Sequence, residues 1–291
     1  MKIPKNETKE TVAHMLSFAI QLCDVYDGYC CPDSIGIVPR KCLLSLHRLA
    51  KAKGSTELCD FFQYDAHEFF IFMMDSLQLV LETSVRMVIE GTPDTDNDSI
   101  ILASLRTWKD AFENAYSPIV HYMHGQHACI MKTKDGKKEY NYDPYMFIHL
   151  PLPWNKASCS IYDCFQEYCV RETIDDHETI LSKQNRFMRF PPFLCVVLRR
   201  FHMTGRKINT NVSFPLTSLN LTQFVEVPTR IYEYDCVGVV NHTGTLQGGH
   251  YYSFVKQNNK WWNVNDMRVT PIDDESYLVG PHAYILFYQL R

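Results

Sequence analysis

The order of helical and strand-like segments constrains the fold of this 291-residue chain more than any other feature. Up to about residue 115, apolar residues recur at helical spacing, and helices are predicted at 11–26, 38–52 and 63–84. After that point, β-branched and aromatic runs alternate with Pro, Gly, Asn and Asp. These runs predict strands at 145–153, 193–201, 234–240, 250–256, 260–265 and 283–290. Helices followed by strands predict an α+β fold with a mostly antiparallel sheet.

The segment 63–84 carries the clearest start signal of the predicted helices. Asp65 can cap its first turn, and Glu68 follows three residues later. Helical spacing predicts that four apolar residues of this segment face a core: Phe69, Phe72, Met73 and Leu77. By contrast, the acidic and turn-rich stretch at 90–99 predicts a loop, and it is the best candidate for a surface insertion.

Composition excludes several classes of protein. The net charge of −4 shows no excess of basic residues, so nucleic acid is not an expected partner. No apolar run reaches the roughly 18 residues that a membrane-spanning helix needs, and the polar start MKIPKNETKETV lacks the apolar stretch of a secretory signal. The eleven cysteines form no regular disulfide pattern. Together these features predict reduced thiols and a cytosolic or nuclear location.

Two of the predicted strands, HYYSFVK and KWWNVN, flank a short QNNK segment that has the chemistry of a tight turn. If Asn258 and Asn259 form a two-residue turn, His250 and Asn265 lie on one face of the hairpin. They are then diagonal neighbours, roughly 7–8 Å apart, within reach of a long side chain. Asp266 points to the opposite face in this register, and a slip of one residue would exchange it with Asn265.

A histidine beside an amide oxygen is the base half of a nucleophilic site. The amide oxygen of Asn265 can accept the proton of one ring nitrogen of His250, which leaves the other nitrogen free to act as a base. An amide stabilises an imidazolium less than a carboxylate does, and a thiol needs less help than a hydroxyl. The pair therefore favours a cysteine nucleophile. The alternative is a strand histidine with a structural role only.

Several stretches together resemble the ubiquitin-specific proteases, which are papain-like cysteine isopeptidases. The His box of that family is similar to NHTGTLQGGHYYSFV, WWNVNDMRV and AYILFY in this chain. QYDAHEFF at 63–70 resembles the Gln-Gln-Asp-Ala-His-Glu-Phe-Leu signature, with Tyr64 in place of one Gln. The segments at 160–168 and 193–221 resemble two further elements, in the order that the family has them. The resemblance covers most of the chain.

The resemblance implies one catalytic-type domain over residues 1–291 with a right-hand fold. Residues 1–115 would form a partial helical thumb, and residues 116–291 an antiparallel β palm with shortened fingers. The implied activity is that of a thiol protease, a hydrolase that cleaves isopeptide bonds at the C-terminus of ubiquitin. The implied partner is ubiquitin or a ubiquitinated protein, and no cofactor is expected.

The resemblance also assigns roles to individual residues. His250 matches the catalytic base, Asn265 its orienting residue and Asp266 a supporting acid. The residues expected to contact the ubiquitin tail are Gly248, Gly249, Tyr251, Asp65 and Glu68. His67 is expected to be structural rather than catalytic. The stretch LRRFH at 198–202 is expected to support the palm or to contact ubiquitin.

The chain departs from the family pattern at the nucleophile. An Asn-Thr-Cys-Tyr type of Cys box, which lies well upstream of the QYDAHEFF element in relatives, is absent, and only 62 residues precede Gln63. The chain is therefore predicted to begin after the place of the nucleophile. Cys30 and Cys31 come closest to a loop at a helix end, but neither has Cys-box neighbours. The donors that stabilise the oxyanion would be missing with the box.

The zinc site of many relatives is also predicted to be absent. Two Cys-x-x-Cys pairs are expected in the fingers, but the first region reads HGQHACIMKTKDGKK and predicts a surface hairpin. His124, His127 and Cys129 form only a weak cluster there. Cys159, Cys164 and Cys169 are spaced by five, which is poor spacing for zinc ligands. No metal is predicted.

Two hypotheses of function follow. In the first, the protein is a cysteine deubiquitinase whose nucleophile is missing from this sequence. In the second, it is a catalytically inactive module or scaffold that binds ubiquitin. Loss of the first helix of the thumb would expose core surface, which favours the first hypothesis.

Overall fold

The computed structural model describes residues 7–30, 38–59, 63–153, 156–175, 178–202, 204–245 and 247–291. The chain divides into two compact units. The first contains residues 1–84 and 115–119, and the second contains residues 85–114 and 120–291. The helices are α1 Lys9–Cys30, α2 Arg40–Ala52, α3 Ala66–Leu81, α4 Asp96–Phe112, α5 Pro118–Met123 and α6 Ile161–Tyr168. Among these helices of the described residues, none is long and apolar enough to cross a membrane.

The strands follow the helical part of the chain, as the sequence predicts. The first seven are β1 Gly125–Thr133, β2 Lys138–Tyr145, β3 Phe147–Leu150, β4 Ser158–Ser160, β5 Arg171–Thr173, β6 Ile180–Arg189 and β7 Phe193–Leu198. The others are β8 Asn211–Ser213, β9 Leu219–Asn220, β10 Glu233–Thr245, β11 Gly248–Gln257, β12 Lys260–Asn265, β13 Arg268–Ile272 and β14 Ala283–Leu290. All six predicted strands are present, which confirms the α+β class.

Helices α1, α2 and α3 form the first unit, and their apolar faces share one small core. Its buried centre contains Met15, Phe18, Cys42 and Leu49. Phe72, Met73 and Leu77 of α3 pack against that centre, as predicted from their spacing, whereas Phe69 is half-buried and does not belong to this core as the structure describes it. Burial of such an apolar stripe contributes most of the stability of a helix in a small bundle.

The start of α3 agrees with its sequence signal. The Asp65 carboxylate accepts hydrogen bonds from the backbone N–H groups of His67 at 2.8 Å and Glu68 at 3.2 Å, so Asp65 is the N-cap. His67 is buried at 8% exposure, whereas Glu68 is exposed. The first turn is thus fixed by a carboxylate that satisfies otherwise unpaired N–H groups.

The prediction of a loop at 90–99 is correct only for residues 90–95, which precede α4. Residues 96–99 form the first turn of α4. Thr95 and Asp98 make a reciprocal capping box, in which the Thr95 hydroxyl accepts from the Asp98 N–H at 3.1 Å and the Asp98 carboxylate accepts from the Thr95 N–H at 2.9 Å. Thr, Asp and Asn favour both loops and helix starts, because their short side chains bond nearby backbone.

This capping box gives a first prediction. Thr95→Ala should lower the free energy of unfolding by about 1 kcal/mol, because it removes the acceptor for the Asp98 N–H. Urea unfolding followed by circular dichroism measures the change. Thr95→Ser keeps the hydroxyl and is the matched control. Equal stability of the alanine and serine variants would show that the cap contributes nothing.

The described residues of the second unit form three sheets. A four-stranded sheet has the order β2-β1-β6-β5, and β4 pairs with β8 in a small parallel sheet. The main sheet has eight strands in the order β13-β12-β11-β10-β14-β7-β3, and β9 pairs with β10. It is antiparallel except for the parallel pair β3 and β7. Most pairs are therefore antiparallel, as predicted.

One large apolar core supports the main sheet. Leu194, Val196 and Leu198 of β7 point into it, together with Leu286 of β14 and Phe165 of α6. All five side chains are fully buried. Strands β10 and β11 extend from this core, so their far ends, where the candidate site lies, are anchored by well-packed strands.

Candidate active site

The turn between β11 and β12 is the one that the sequence predicts. Asn258 and Asn259 have φ angles of 51° and 58°, as a two-residue type I′ turn requires. Gln257 pairs with Lys260 on either side of this turn, and the ladder continues to Ser253 opposite Val264. The predicted register is therefore confirmed.

The hairpin brings His250 and Asn265 together. His250 Nε2 lies 2.7 Å from Asn265 Oδ1. A carbonyl oxygen only accepts hydrogen bonds, so this contact assigns the ring proton to Nε2 and leaves Nδ1 as the basic nitrogen. His250 is exposed, and Asn265 is partly buried. The pair can therefore hold an oriented imidazole that a second reactant is able to approach.

Asp266 lies beyond the end of β12. Asn265 pairs with Arg268, so Asp266 and Met267 form the two-residue turn to β13. Asp266 adopts a φ of 50°, and its side chain is exposed. The hydrogen-bond partner of the imidazole is Asn265, in the register that the sequence favours.

The residues before His250 form a tight hairpin between β10 and β11. Gly244 pairs with Gly249, and Thr245 pairs with Gly248. A Cβ atom on Gly249 would lie 2.3 Å from His242 Nε2 and 2.3 Å from the Thr243 carbonyl oxygen. Only glycine fits at this position, because the other strand of the same hairpin fills the space.

His242 is fixed from its other side by Lys207. The Lys207 ammonium donates to His242 Nδ1 at 3.2 Å and to the His242 carbonyl oxygen at 2.8 Å. The His242 ring is 4% exposed and lies 4.7 Å from the ring of Tyr251. Burial, together with the charge of Arg200, lowers the pKa of Lys207. This buried cluster sets the shape of the hairpin next to His250.

Arg200 stabilises the same end of the sheet, in agreement with the prediction that LRRFH supports the palm. Its guanidinium is 1% exposed and donates to the carbonyl oxygens of Ala283 at 2.6 Å, Thr210 at 2.8 Å and Ile208 at 3.2 Å. Burial lowers its pKa to about 10. Arg199 is exposed and remains available for a contact with a partner.

The residues predicted to contact the ubiquitin tail lie in both units. Gly248, Gly249 and Tyr251 belong to β11, next to His250. Asp65 and Glu68 belong to the start of α3 in the first unit. Strand alternation directs Tyr251 to the face opposite His250. Their contacts with ubiquitin stay a prediction.

Six of the ten described cysteines are buried, in surroundings that do not activate a thiol. Burial raises the pKa of Cys169 to about 11 and that of Cys236 to about 12. Cys30 is exposed and is the last residue of α1, whereas activated cysteines often lie at the N-terminus of a helix. Cys31 lies outside the described residues.

The weak cluster of His124, His127 and Cys129 is represented in the fold by His127, whose contacts are structural. His127 lies in β1 of a β1–β2 hairpin, and its Nδ1 is 2.7 Å from the Tyr168 hydroxyl. Burial lowers the pKa of His127. Within the parts of the chain that the structure describes, no group of three His, Cys, Asp or Glu side chains is arranged to hold a metal ion.

The turn at 258–259 gives a second prediction. Asn259→Val should destabilise the protein by roughly 1–2 kcal/mol, because a β-branched residue tolerates positive φ poorly. Asn259→Gly is the matched control and should keep full stability. Thermal unfolding measures both variants. If valine is as stable as glycine, the type I′ turn is not the conformation of this hairpin.

The sequence predicted that LRRFH supports the palm, but it did not predict which groups Arg200 and Lys207 would bond. Lys207 is 35 residues from His242, and Arg200 is 83 residues from Ala283. No local pattern signals contacts between such distant residues. The two adjacent Arg residues in a strand-like segment were the one available signal, because a buried arginine must donate to several carbonyl groups.

Comparison with known proteins places these features in one family. The family model described as "Ubiquitin carboxyl-terminal hydrolase" matches residues 5–288. Ubiquitin carboxyl-terminal hydrolase 2 of Gallus gallus is 28% identical over 251 residues, which cover 78% of this chain and 68% of that protein. Ubiquitin carboxyl-terminal hydrolase 3 of Homo sapiens is 28% identical over 255 residues, covering 78% of this chain and 48% of its own length.

Solved structures give the same fold. The Ubp8/Sgf11/Sus1/Sgf73 SAGA DUB module bound to ubiquitin aldehyde contains a chain that matches 96% of this one, with a TM-score of 0.70 and 20% identity. The match covers 60% of that chain. The same four-protein module, described without ubiquitin, gives a TM-score of 0.66 at 21% identity, over 98% of this chain and 62% of the other. This chain thus spans about 60% of the length of these solved chains.

Proposed function

This chain belongs to the ubiquitin carboxyl-terminal hydrolase family, and from that premise we propose that it carries the base half of a cysteine deubiquitinase. The observation that supports the proposal is the contact of 2.7 Å between His250 Nε2 and Asn265 Oδ1 in a hairpin of defined register. We assign His250 as general base and Asn265 as its orienting residue. Asp266, exposed in the next turn, is the accessory acid beside them.

The reaction begins when His250 Nδ1 accepts the proton of a cysteine thiol. The thiolate attacks the carbonyl carbon of the C-terminal glycine of ubiquitin. The imidazolium then returns its proton to the lysine amine as the isopeptide bond breaks. Water hydrolyses the thioester that remains, with His250 again as the base. Throughout, the Asn265 oxygen accepts the Nε2–H and holds the ring in place.

The thiol of this reaction is not one of the eleven cysteines of the sequence. None of them has Cys-box neighbours. Six of the described cysteines are buried, and Cys30 lies at the C-terminal end of a helix. We therefore assign the nucleophile, and the donors that stabilise the oxyanion, to residues outside this sequence.

The proposed partner is ubiquitin or a ubiquitinated protein. Two similar solved modules are described as bound to monoubiquitin and to ubiquitin aldehyde. In this chain, Gly248, Gly249 and Tyr251 of β11, with Asp65 and Glu68 of α3, are the proposed contacts of the ubiquitin tail. The absence of a nucleic-acid partner and the cytosolic or nuclear location stay predictions from composition.

A ubiquitin probe that ends in an electrophile, such as a vinyl sulfone, tests the proposal. The probe is added to the protein expressed from its natural gene, and the labelled residue is located by peptide mass spectrometry. Labelling of a cysteine outside the 291 residues, together with hydrolysis of ubiquitin–fluorophore, is the expected result. Labelling of Cys30 or Cys31 would contradict our assignment of the nucleophile.

The second candidate function is a ubiquitin-binding protein without catalysis. It is favoured by the absence of a Cys box from the sequence. Saturable ubiquitin binding with neither labelling nor hydrolysis would establish it and reject the enzyme. Absence of both binding and labelling would reject both functions.

A further inference from the structure

A cavity of about 640 Å³ opens on the face of the main sheet that carries the His250–Asn265 pair. Its floor contains Tyr252 and Phe254 of β11, with Asn241 and Asn263 on the strands either side. Its wall is the segment 270–282. Because side chains alternate along a strand, Tyr252 lies on the same face as His250, two residues along β11. Asn263 lies on the same face as Asn265, two residues along β12. The cavity therefore begins directly beside the pair.

Two polar atoms at the floor are buried and have no hydrogen-bond partner among the described residues: Asn241 Nδ2 and Asn263 Oδ1. The Asn241 side chain is 2% exposed. An unpaired buried polar atom is destabilising, so a ligand that pairs with it gains binding free energy. Both asparagines line the cavity, and the last torsion of an asparagine is broad, so its amide is able to rotate.

The spacing of these amides indicates the length of a ligand. Asn241 pairs across from Tyr252, and Asn263 pairs across from Phe254, so the two asparagines lie on opposite sides of β11. Strands two apart are separated by about 10 Å, which is about three residues of extended chain. One asparagine offers a donor and the other an acceptor, and a peptide backbone supplies both partners.

The rim of the cavity is acidic and aromatic. Asp273 and Asp274 are exposed and make no ion pair with any described residue. A hydrogen bond from the Ser276 N–H lowers the pKa of Asp274, which keeps it charged at neutral pH. Burial lowers the pKa of His282, which keeps that side chain neutral. Tyr277, at 74% exposure, offers an apolar ring at the mouth.

We propose that this cavity binds an extended peptide of about three residues with one apolar and one basic side chain. The apolar side chain packs on Tyr252 and Phe254, and the basic one lies near Asp273. Gly248 and Gly249 precede His250 and are proposed to hold the ubiquitin tail, while the cavity follows His250. The cavity is thus the subsite for the protein that bears the scissile lysine, an assignment that rests on the proposed function.

Peptide binding to the protein expressed from its natural gene tests the subsite without any catalysis, because the probe contains no ubiquitin. The probe is acetyl-Lys-Gly-Leu-Gly-Lys-amide carrying a fluorophore, and fluorescence anisotropy measures its Kd. A peptide with Ser for Leu should bind about tenfold more weakly. A peptide with Glu for the last Lys should bind about fivefold more weakly. Equal affinities for the three peptides would overturn the proposal.

Two protein variants locate the binding. Asn263→Leu should weaken binding of the acetyl-Lys-Gly-Leu-Gly-Lys-amide probe about fivefold. It should not lower thermal stability, because Asn263 Oδ1 has no hydrogen-bond partner among the described residues. Asp273→Lys should reverse the preference for Lys over Glu in the peptide. Glu139→Lys is the matched control, since it makes the same charge change at an exposed site on β2.

The outcomes separate this inference from the proposed function. Selective peptide binding that Asp273→Lys reverses and Glu139→Lys does not supports the subsite, even if the native protein hydrolyses no conjugate. Hydrolysis by the native protein without selective peptide binding rejects the subsite and leaves the proposed function intact. An effect of Glu139→Lys equal to that of Asp273→Lys also rejects it.

Discussion

Replacing His250 by glutamine is expected to lower kcat/KM for ubiquitin–fluorophore hydrolysis roughly 10³-fold in the protein expressed from its natural gene. Glutamine has similar volume and can still donate to Asn265, but its amide accepts no proton at neutral pH. The thiol then loses the group that takes its proton, and the leaving amine loses its acid. Hydrolysis is followed by fluorescence release under initial-rate conditions.

His121→Gln is the matched control for this variant. His121 is exposed in α5, and its ring lies 4.6 Å from that of Tyr122. It should keep full activity. Ubiquitin binding should be unchanged in both variants, because neither replacement alters the packing of a strand. Activity of His250→Gln within about tenfold of the unmodified protein would remove His250 from the mechanism.

Asn265 should matter less than His250. Asn265→Ala removes the acceptor of the Nε2 proton, so the ring loses its preferred tautomer and orientation, but the base itself remains. Its rate should therefore fall between those of the unmodified protein and His250→Gln. A rate equal to that of His250→Gln would mean that orientation, rather than proton transfer, limits the reaction.

The sequence predicts the His250–Asn265 pair because the relevant information is local. Two consecutive asparagines accept the positive φ values of a type I′ turn. The length of the turn fixes the register, and the register fixes which side chains share a face. The helices at α1, α2 and α3 were predictable for a similar reason, since each presents an apolar stripe with a period near 3.6 residues.

The four-stranded sheet was not predictable in the same way. Strands β1, β2 and β6 are rich in polar residues, and only a hairpin near 124–138 was expected from the sequence. Ile130 and Tyr142 of this sheet pack with Ile100 of α4, a helix that sequence reasoning missed. The capping residues at the start of α4 also favour loops, so the sequence did not predict the helix that packs against this sheet. Pairing with distant segments then decides the structure of weakly patterned strands.

Gly249→Ala is expected to have the largest effect on stability among the substitutions near the site. Its Cβ would approach His242 Nε2 and the Thr243 carbonyl oxygen at 2.3 Å each. The carbonyl belongs to the backbone of the paired strand, and the His242 ring is bonded to Lys207, so neither group can move without breaking other contacts. Overpacking typically costs about 1–3 kcal/mol, and contacts this close to backbone place Gly249→Ala at the upper end of that range.

The same clash should displace His250, because His250 is the next residue on the strand. We expect Gly249→Ala to lower both the free energy of unfolding, measured in urea, and the hydrolysis rate of the folded fraction. Gly238→Ala is the matched control in β10, where a Cβ would meet its nearest atom, Phe287 Cδ2, at an ordinary 3.5 Å. If both alanine variants were equally stable, the close approach at Gly249 would have no energetic consequence. The presence of glycine before the histidine would then have to be explained by its contact with the ubiquitin tail alone.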